Sequence, residues 1–406
     1  MTRTVITGLA VTAPNGMGVE AYWKALLDGS TGIAPVTGFD TTGYPATLAG
    51  QIAGFDPAEH LPGRLLPQTD RSTQLALVAA DWALTDAGVP DDTVRDYDIG
   101  VVTSNALGGF TFTHHEFANL WTKGSKFVSV YESFAWFYAV NTGQVSIRHE
   151  LRGPSAALVG EQAGGLDALG HARRTVLRGT PVVVAGGVDS AFDPWGYVSQ
   201  LAGGLVTRES DPARAYQPFG TEASGYVPGE GGAMLVVEDA DGAARRGVRP
   251  YGEIAAHAST FDPAPGSDRP PTLGRAVEAA LAEAGLEPGD IDVVFADGAG
   301  VPELDAAEAG AIRSVFGPGG VPVTVPKALT GRLYGGGGPL DVATALLAIR
   351  DGVIPSTPTV SGVPAEYGID LVRTGPREAR IRHALVLARG RHGFNSAVVV
   401  SGPDAS

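Results

Sequence analysis

The side chains that most often carry chemistry are thinly supplied in this chain. Cysteine is absent from all 406 residues, which excludes a thiolate nucleophile, a disulfide, a thiolate metal site and an iron–sulfur cluster. His114 and His115 are adjacent rather than four apart, so they read as a surface turn and not as a metal pair on one helical face. No metal is expected. There is no Walker A loop and no GxSxG elbow, so neither a P-loop nucleotide enzyme nor a serine hydrolase has a motif to stand on. The run Gly335-Gly336-Gly337-Gly338 precedes a helical pattern and could bring backbone N–H groups to an anion. It lacks the frame and the acidic partner of a dinucleotide site, and reads as a tight turn that lets a helix pack closely. No cofactor is expected.

Three segments place polar residues at the turns between apolar runs. They are GPSAALVGEQAGGLDALG (Gly153–Gly170), DGAGVPELDAAEAGAI (Asp297–Ile312) and PKALTGRLYGGGGPLDVATAL (Pro326–Leu346). Two further segments accompany them, GYVPGEGGAMLVVED (Gly225–Asp239) and ARGRHGFNSAVVV (Ala388–Val400). The elements that must position them alternate. A strand opens at Val5-Ile6, a helix spans Arg71 to Gly88, and a strand spans Ile99 to Thr103. A helix from Glu161 to Arg178 leads to a strand at Val182–Ala185. Later come helices at Thr272–Ala284 and Asp341–Arg350, and strands at Ile291–Ala296, Leu385–Ala388 and Ala397–Val400. This alternation predicts an α/β protein with mostly parallel sheets covered on both faces.

A repeat runs through the pattern. ALTDAGVPDDTVRDYDIGVV (Ala83–Val102) and ALAEAGLEPGDIDVVF (Ala280–Phe295) both end a helix at Ala-Gly, turn through acidic residues and enter an apolar strand. GGLDALGHARRTVLRGTP (Gly164–Pro181) and GGPLDVATALLAIRDGVIP (Gly337–Pro355) form a second pair. The order of these elements predicts two duplicated halves, residues 1–250 and 251–406, with the Gly-, Ala-, Arg- and Pro-rich stretch from Asp239 to Pro271 as their seam.

Charge narrows the partners. Lys and Arg number 29 against 44 Asp and Glu, a formal charge of −15, and such a surface repels phosphate backbones and anionic lipid heads. Nucleic acid and membrane are therefore not expected as partners. No apolar run approaches the roughly 20 residues of a membrane span, and MTRTVITGLAV is too short for a signal peptide. A cytoplasmic protein is expected.

The five segments, in this order, resemble the β-ketoacyl synthases of the thiolase superfamily, and the likeness runs from about residue 3 to residue 401. It implies a thiolase-like five-layer αβαβα fold. In that family a cysteine at the start of the central helix takes the acyl chain, and two histidines stabilise the charge formed as malonyl loses CO2. Carried over residue by residue, the cysteine falls on Gln162, the first histidine on Asp297 and the second on Arg332. The family lysine is kept as Lys327, as are Glu230, Asp305, Glu308 and Asn395, while the gating aromatic has become Arg391. A carboxamide is no nucleophile at neutral pH. Asp297 puts negative charge where an enolate would form, and Arg332 cannot transfer protons at its pKa. Condensation by this chain is therefore excluded.

One branch of the family shows this pattern, the chain length factor or ketosynthase β subunit of bacterial type II polyketide synthases, and VGEQAGGLDALGHARR, VFADGAGVPELDAAEA and VPKALTGRLYGGGGPLDV resemble it throughout. The resemblance implies a heterodimer with a catalytic ketosynthase α subunit, access to the acyl carrier protein through that complex, and a tunnel at the interface that limits chain length. It places the tunnel gate on Phe110, Thr113 and Phe117, whose spacing of three and four sets them on one helical face. Two phenylalanines there imply a product of about octaketide length. Tyr131, Phe134, Trp136, Phe137 and Tyr138, dense for a chain with 7% aromatic residues, and Trp195 read as interface candidates or as core. Gln162 either hydrogen-bonds a malonyl thioester, aiding the decarboxylation that primes the chain, or fills the space of the lost cysteine. Two other functions stay open: a scaffold-only partner, and an acyltransferase using Ser155 or Thr330, neither of which has a base set by spacing. Arg173 and Arg174 could form a local basic patch for a carrier protein, but they fall on a helix expected to be largely buried.

Overall fold

In the computed structural model, residues 3–89, 94–264, 266–403 and 405 are described. Residues 90–93 of the first acidic turn and residue 265 of the seam lie outside that set. The first half runs β1 (Thr4–Ala13), β2 (Gly16–Met17), α1 (Val19–Leu27), β3 (Ile33–Pro35), β4 (Leu48–Gly50), α2 (Arg71–Ala87), β5 (Ile99–Ser104), α3 (Phe110–Lys123), α4 (Glu132–Ala135), α5 (Val140–His149), β6 (Ser155–Leu158), α6 (Gly164–Leu177), β7 (Val182–Asp189), α7 (Pro194–Leu201) and β8 (Gly231–Asp239). After α8 (Ala240–Arg246), the second half runs β9 (Gly252–Phe261), α9 (Leu273–Ala284), β10 (Val293–Phe295), α10 (Pro302–Phe316), β11 (Pro322–Thr324), α11 (Gly337–Asp351), β12 (Val353–Ile354), β13 (Asp370–Leu371), β14 (Arg377–Glu378), β15 (His383–Arg389) and β16 (Phe394–Ser401).

The strand order makes the duplication visible. One half reads β1-β8-β7-β5-β6 and the other β9-β16-β15-β10-β11 with β13 added beyond β11, and β1 meets β9 at the junction. The directions repeat as well. The first two pairings in each half are antiparallel, the next two parallel. The expectation of mostly parallel sheets is therefore corrected to mixed ones. A strand buried on both faces is apolar along its whole length whichever way it runs, so its pattern carries no mark of direction.

Alternation along the strands sorts the side chains into layers. Val183 and Ala185 of β7, Leu235 and Val237 of β8, and Val398 and Val400 of β16 point into one central cluster with Leu166, Leu169, Leu340 and Leu346 of α6 and α11. Their neighbours Val182, Val184 and Val236 point the other way, onto Leu77, Val78 and Leu84 of α2. On the far side, Leu385, Leu387 and Val399 face Leu273 and Val277 of α9. Helix, sheet, helix pair, sheet and helix give five layers. Each fully buried aliphatic side chain contributes roughly 1.5–3 kcal/mol, so the central cluster alone fixes α6 and α11 between the sheets.

Caps and close approaches set the ends of these elements. Asp70 caps α2 through Ser72 N at 2.8 Å, and Gly88 ends it at φ +65°. The glycine run before α11 is a packing device, as read above. A Cβ on Gly336 would stand 2.0 Å from Gly231 O, and one on Gly337 would stand 2.2 Å from Gln162 Nε2. His114 and His115, expected on a turn, lie inside α3 instead, because the stretch after Gly109 continues as fourteen helical residues. Among the described residues, no cluster of His, Cys, Asp or Glu could hold a metal ion, and no helix is long and apolar enough to cross a membrane.

Asp189 ties the parts together. It ends β7 with its carboxylate accepting from Ala106 N, Leu107 N and Gly335 N, so one side chain fixes both the loop before α3 and the turn before α11. Burial pushes its pKa up to about 7 against the pull of those three donors. A carboxyl raised in the folded state contributes its full stability below the unfolded pKa near 4, and loses it as pH rises toward the folded value. Asp189→Asn is therefore predicted to flatten the fall in stability between about pH 4 and 7, by up to about 1.4 kcal/mol per pH unit. Urea unfolding across that range measures it, and parallel pH profiles for parent and variant would refute the assignment.

Candidate functional site

The C-terminal ends of the parallel strands bring together the residues that the family likeness singled out. Asp297 follows β10 and Arg332 follows the turn Pro326–Leu329. Both are buried, and Arg332 Nη1 donates to Asp297 Oδ2 at 2.9 Å. Arg332 Nη2 also donates to Arg389 O at 2.6 Å, and the guanidinium carbon lies 5.5 Å from the Tyr226 ring centroid. Asp297 Oδ1 accepts from Arg389 N at 3.1 Å. Burial works against the Arg332 proton, but Asp297 and Glu161 outweigh it and hold the guanidinium well above its ordinary pKa. The sequence reading set negative charge at Asp297 and positive charge at Arg332 without pairing them; the fold joins the two as a buried ion pair.

Two carboxylates behind Asp297 shape its turn. Glu308 accepts from Asp297 N and Gly298 N, and Asp305 accepts from Gly300 N and Phe219 N. Burial raises both acids, Asp305 to about 7, and the nearby Asp297 raises Glu308 further. Lys327 Nζ donates to Ala296 O at 2.8 Å and pairs with Asp341 at 2.6 Å in the interior. Arg391 enters from the turn between β15 and β16, its Nη2 donating to Tyr226 Oη at 3.0 Å and its N–H to Glu161 Oε2 at 3.0 Å. Glu161 itself sits at φ +51°, a strained conformation for a residue with a side chain. Asp297, Arg332, Arg391 and Glu161 share a cleft of about 420 Å3.

Gln162 does not open into that cleft. It lies in a single 3-10 turn, Glu161–Ala163, that precedes α6, so the helix expected from Glu161 begins at Gly164. Its side chain is fully buried against Gly337, and neither amide atom has a hydrogen-bond partner among the described residues. Ser155 donates to Gly153 O and Thr330 to Gly331 O, so neither hydroxyl is held by a base. Arg173 is spent on Ile254 O, Ala255 O and Glu283, and Arg174 on His257.

A separate cavity of about 420 Å3 collects Phe110, Thr113 and Phe117 on one wall. Helix α3 is held there by acids. Asp70 accepts from Phe112 N at 2.9 Å, and Asp193, which caps α7, accepts from the Thr111 hydroxyl at 3.4 Å. A Cβ on Gly109 would stand 2.0 Å from Ala135 O, so only glycine lets α4 press against the start of α3. Trp195 and Trp136 also line the cavity, with Trp195 4.7 Å from Phe110 and 5.6 Å from Phe117 between ring centroids. Trp195 is thus a cavity residue as well as a half-exposed one. Tyr131 pairs edge-on with Phe134, and Phe137 meets Trp136 edge-on and Tyr138 at a tilt. Trp136, which lines the cavity, is exposed, as are Trp121 of α3 at 82%, Val130 and Phe137. Glu161, Tyr226, Arg389 and Glu132 were missed in the sequence, where no spacing marks them.

This architecture and pocket define a protein of the ketosynthase class. The family comparison agrees: residues 1–243 match the β-ketoacyl synthase N-terminal domain and residues 251–361 the C-terminal domain, and the chain belongs to the β-ketoacyl synthase family. It is 67% identical over 397 residues to the actinorhodin polyketide putative beta-ketoacyl synthase 2 of Streptomyces coelicolor, with 98% of each chain covered. It is 57% identical over 400 residues to the tetracenomycin polyketide synthase ketoacyl synthase beta subunit of Streptomyces glaucescens, covering 98% of this chain and 97% of that one. Among solved structures, the ishigamide ketosynthase/chain length factor shares the fold at a TM-score of 0.90, with 24% identity and 99% of each chain covered.

The Arg332–Asp297 pair generates a prediction. Removing one partner of a buried ion pair leaves the other charge uncompensated and costs about 3–5 kcal/mol, whereas replacing both by apolar groups costs far less. Asp297→Ala should destabilise by about that amount, and Asp297→Ala with Arg332→Met should recover most of it. Chemical denaturation decides: a double variant no more stable than the single one contradicts the pairing.

Proposed function

We propose that this chain is the non-condensing subunit of a type II polyketide synthase, which pairs with a catalytic ketosynthase subunit and limits the length of the poly-β-keto chain. The observation that carries this reading is the aromatic cavity walled by Phe110, Thr113, Phe117 and Trp195 and open on one side. It stands on an intact ketosynthase scaffold without a nucleophile. The relatives named as polyketide β-ketoacyl synthase subunits support it, as does the solved complex of a type II PKS acyl-carrier protein with its ketosynthase bound to the hexaketide.

The division of labour follows from the chemistry. The partner supplies the nucleophile and the charge-stabilising groups, and it receives malonyl units from the acyl carrier protein. The chain grows away from the partner's thioester into the cavity of this subunit. Once its end meets the phenylalanine wall, another unit adds only by displacing packed rings, and extension stops. The exposed aromatics beside the mouth are suited to the partner surface, since burial of such side chains dominates interface energies. Strand β6 adds an open sheet edge, bonded among the described residues only to β5 and with Ser155 and Ala157 turned to solvent, where a second chain's strand can pair. These positions, the boundary between residues 250 and 251 and a cytoplasmic site of action belong to this proposal, as does a product of about octaketide length.

Gln162 fills the lost cysteine's space in this reading. Its full burial, away from both clefts, leaves malonyl no approach. The heterodimer carrying Gln162→Ala should decarboxylate malonyl-loaded carrier protein at the parental rate, and a drop of tenfold or more would restore a priming role. Phe117→Ala, which opens the wall, should shift the product by at least one ketide unit toward greater length. Mass spectrometry of the polyketides reads this directly, and an unchanged length overturns the gate.

A further inference from the structure

The cavity that limits length is not purely apolar. Two polar side chains stand in its wall among the aromatic rings, Thr113 of α3 and Glu132 at the start of α4. Thr113 is 6% exposed and its hydroxyl has no hydrogen-bond partner among the described residues. Glu132 Oε2 is likewise buried and unpartnered. The two groups are near enough for the hydroxyl to favour the ionised carboxyl, yet neither of these oxygens completes a hydrogen bond. Buried polar atoms left unpaired cost about 1–3 kcal/mol each, and an aromatic cavity that only measured length would be better served by apolar residues of the same shape.

We propose that Thr113 and Glu132 form a polar clamp that takes a keto or enol oxygen of the growing chain, so that the cavity recognises a poly-β-keto chain by its oxygens as well as by its length. This rests on the length-limiting reading above and deepens it. A poly-β-keto chain carries an oxygen on every second carbon, so wherever its end stops, a carbonyl lies within one bond of the wall. The chemistry of the clamp matches that ligand. Thr113 donates to a ketone, and Glu132 donates when protonated. Burial raises the Glu132 pKa against the pull of Thr113, and Glu116 and Asp70 nearby raise it further, a net shift toward the protonated donor. Glu116 already accepts from Ser129 N and Asp70 from Ser72 N and Phe112 N, which leaves the cavity oxygens to Glu132. A saturated acyl chain of equal length would enter the same cavity and leave both groups unpaired, which is the stronger form of discrimination a binding site can exert.

The test uses the heterodimer with malonyl-loaded acyl carrier protein and reads the yield and length distribution of its polyketides. Thr113→Val keeps the shape and removes the hydroxyl; Glu132→Leu removes the carboxyl; Glu132→Gln keeps a donor. The clamp predicts that Thr113→Val and Glu132→Leu each lower full-length product by roughly tenfold, about the worth of one lost hydrogen bond, and enrich shorter chains. Glu132→Gln should recover at least half of the parental yield. Parental yield and distribution in Thr113→Val and Glu132→Leu would overturn the clamp, as would a Glu132→Gln variant no better than Glu132→Leu. Should Glu132→Leu fail to assemble with its partner, Thr113→Val and Glu132→Gln decide between them. Failure of the clamp stays distinct from failure of the gate, because Phe117→Ala tests the length limit with both polar groups intact.

Discussion

The buried ion pair between Arg332 and Asp297 is the interaction around which the rest of this molecule is arranged. In the function proposed above, the two positions that would stabilise developing negative charge in a condensing enzyme instead neutralise each other. A guanidinium pinned by a carboxylate, a backbone carbonyl and an aromatic ring is in no position to move protons. The surrounding carboxylates Glu308 and Asp305 are occupied with backbone N–H groups of the same turn, so the turn keeps its shape without its chemistry. A ketosynthase scaffold is thereby preserved for its outline, and its interior charges do structural work.

The same logic of buried acids holding backbone reappears at the cavity. Asp70, Asp189 and Asp193 each receive main-chain N–H groups from loops and helix starts around α3 and α7. Hydrogen bonds to carboxyl groups are among the stronger ones available, and these hold the starts of α3 and α7, and with them the cavity wall on which the proposed length limit rests.

Much of this was legible in the sequence. The helices Arg71–Ala87 and Leu273–Ala284 were placed to within a residue, because their apolar spacing and terminal glycines are local signals. The internal repeat was legible too, and the strand order shows it element by element. Strand direction was not, since β8 and β16 are apolar on both faces and read alike in either direction. The adjacent histidines were misplaced on a turn because they were read by their own spacing alone, although the helical face drawn through Phe110, Thr113 and Phe117 spans them. Residues such as Glu161, Tyr226, Arg389 and Glu132 escaped notice for a different reason: each acts through a neighbour distant in the chain, and only the folded topology brings them together. Trp195 was noticed for its aromatic character, but its place against Phe110 and Phe117 depends on the packing of α7 on α3.

The central claim is that this chain has no condensing activity of its own and gives a partner's product its length. The most direct measurement is co-expression with a catalytic ketosynthase subunit, purification through a tag on this chain alone, and mass analysis of both the complex and its products from malonyl-loaded carrier protein. The account predicts a 1:1 complex that makes one discrete polyketide length, and no polyketide from this chain alone. Polyketide formed without the partner, or no complex with it, would contradict the account.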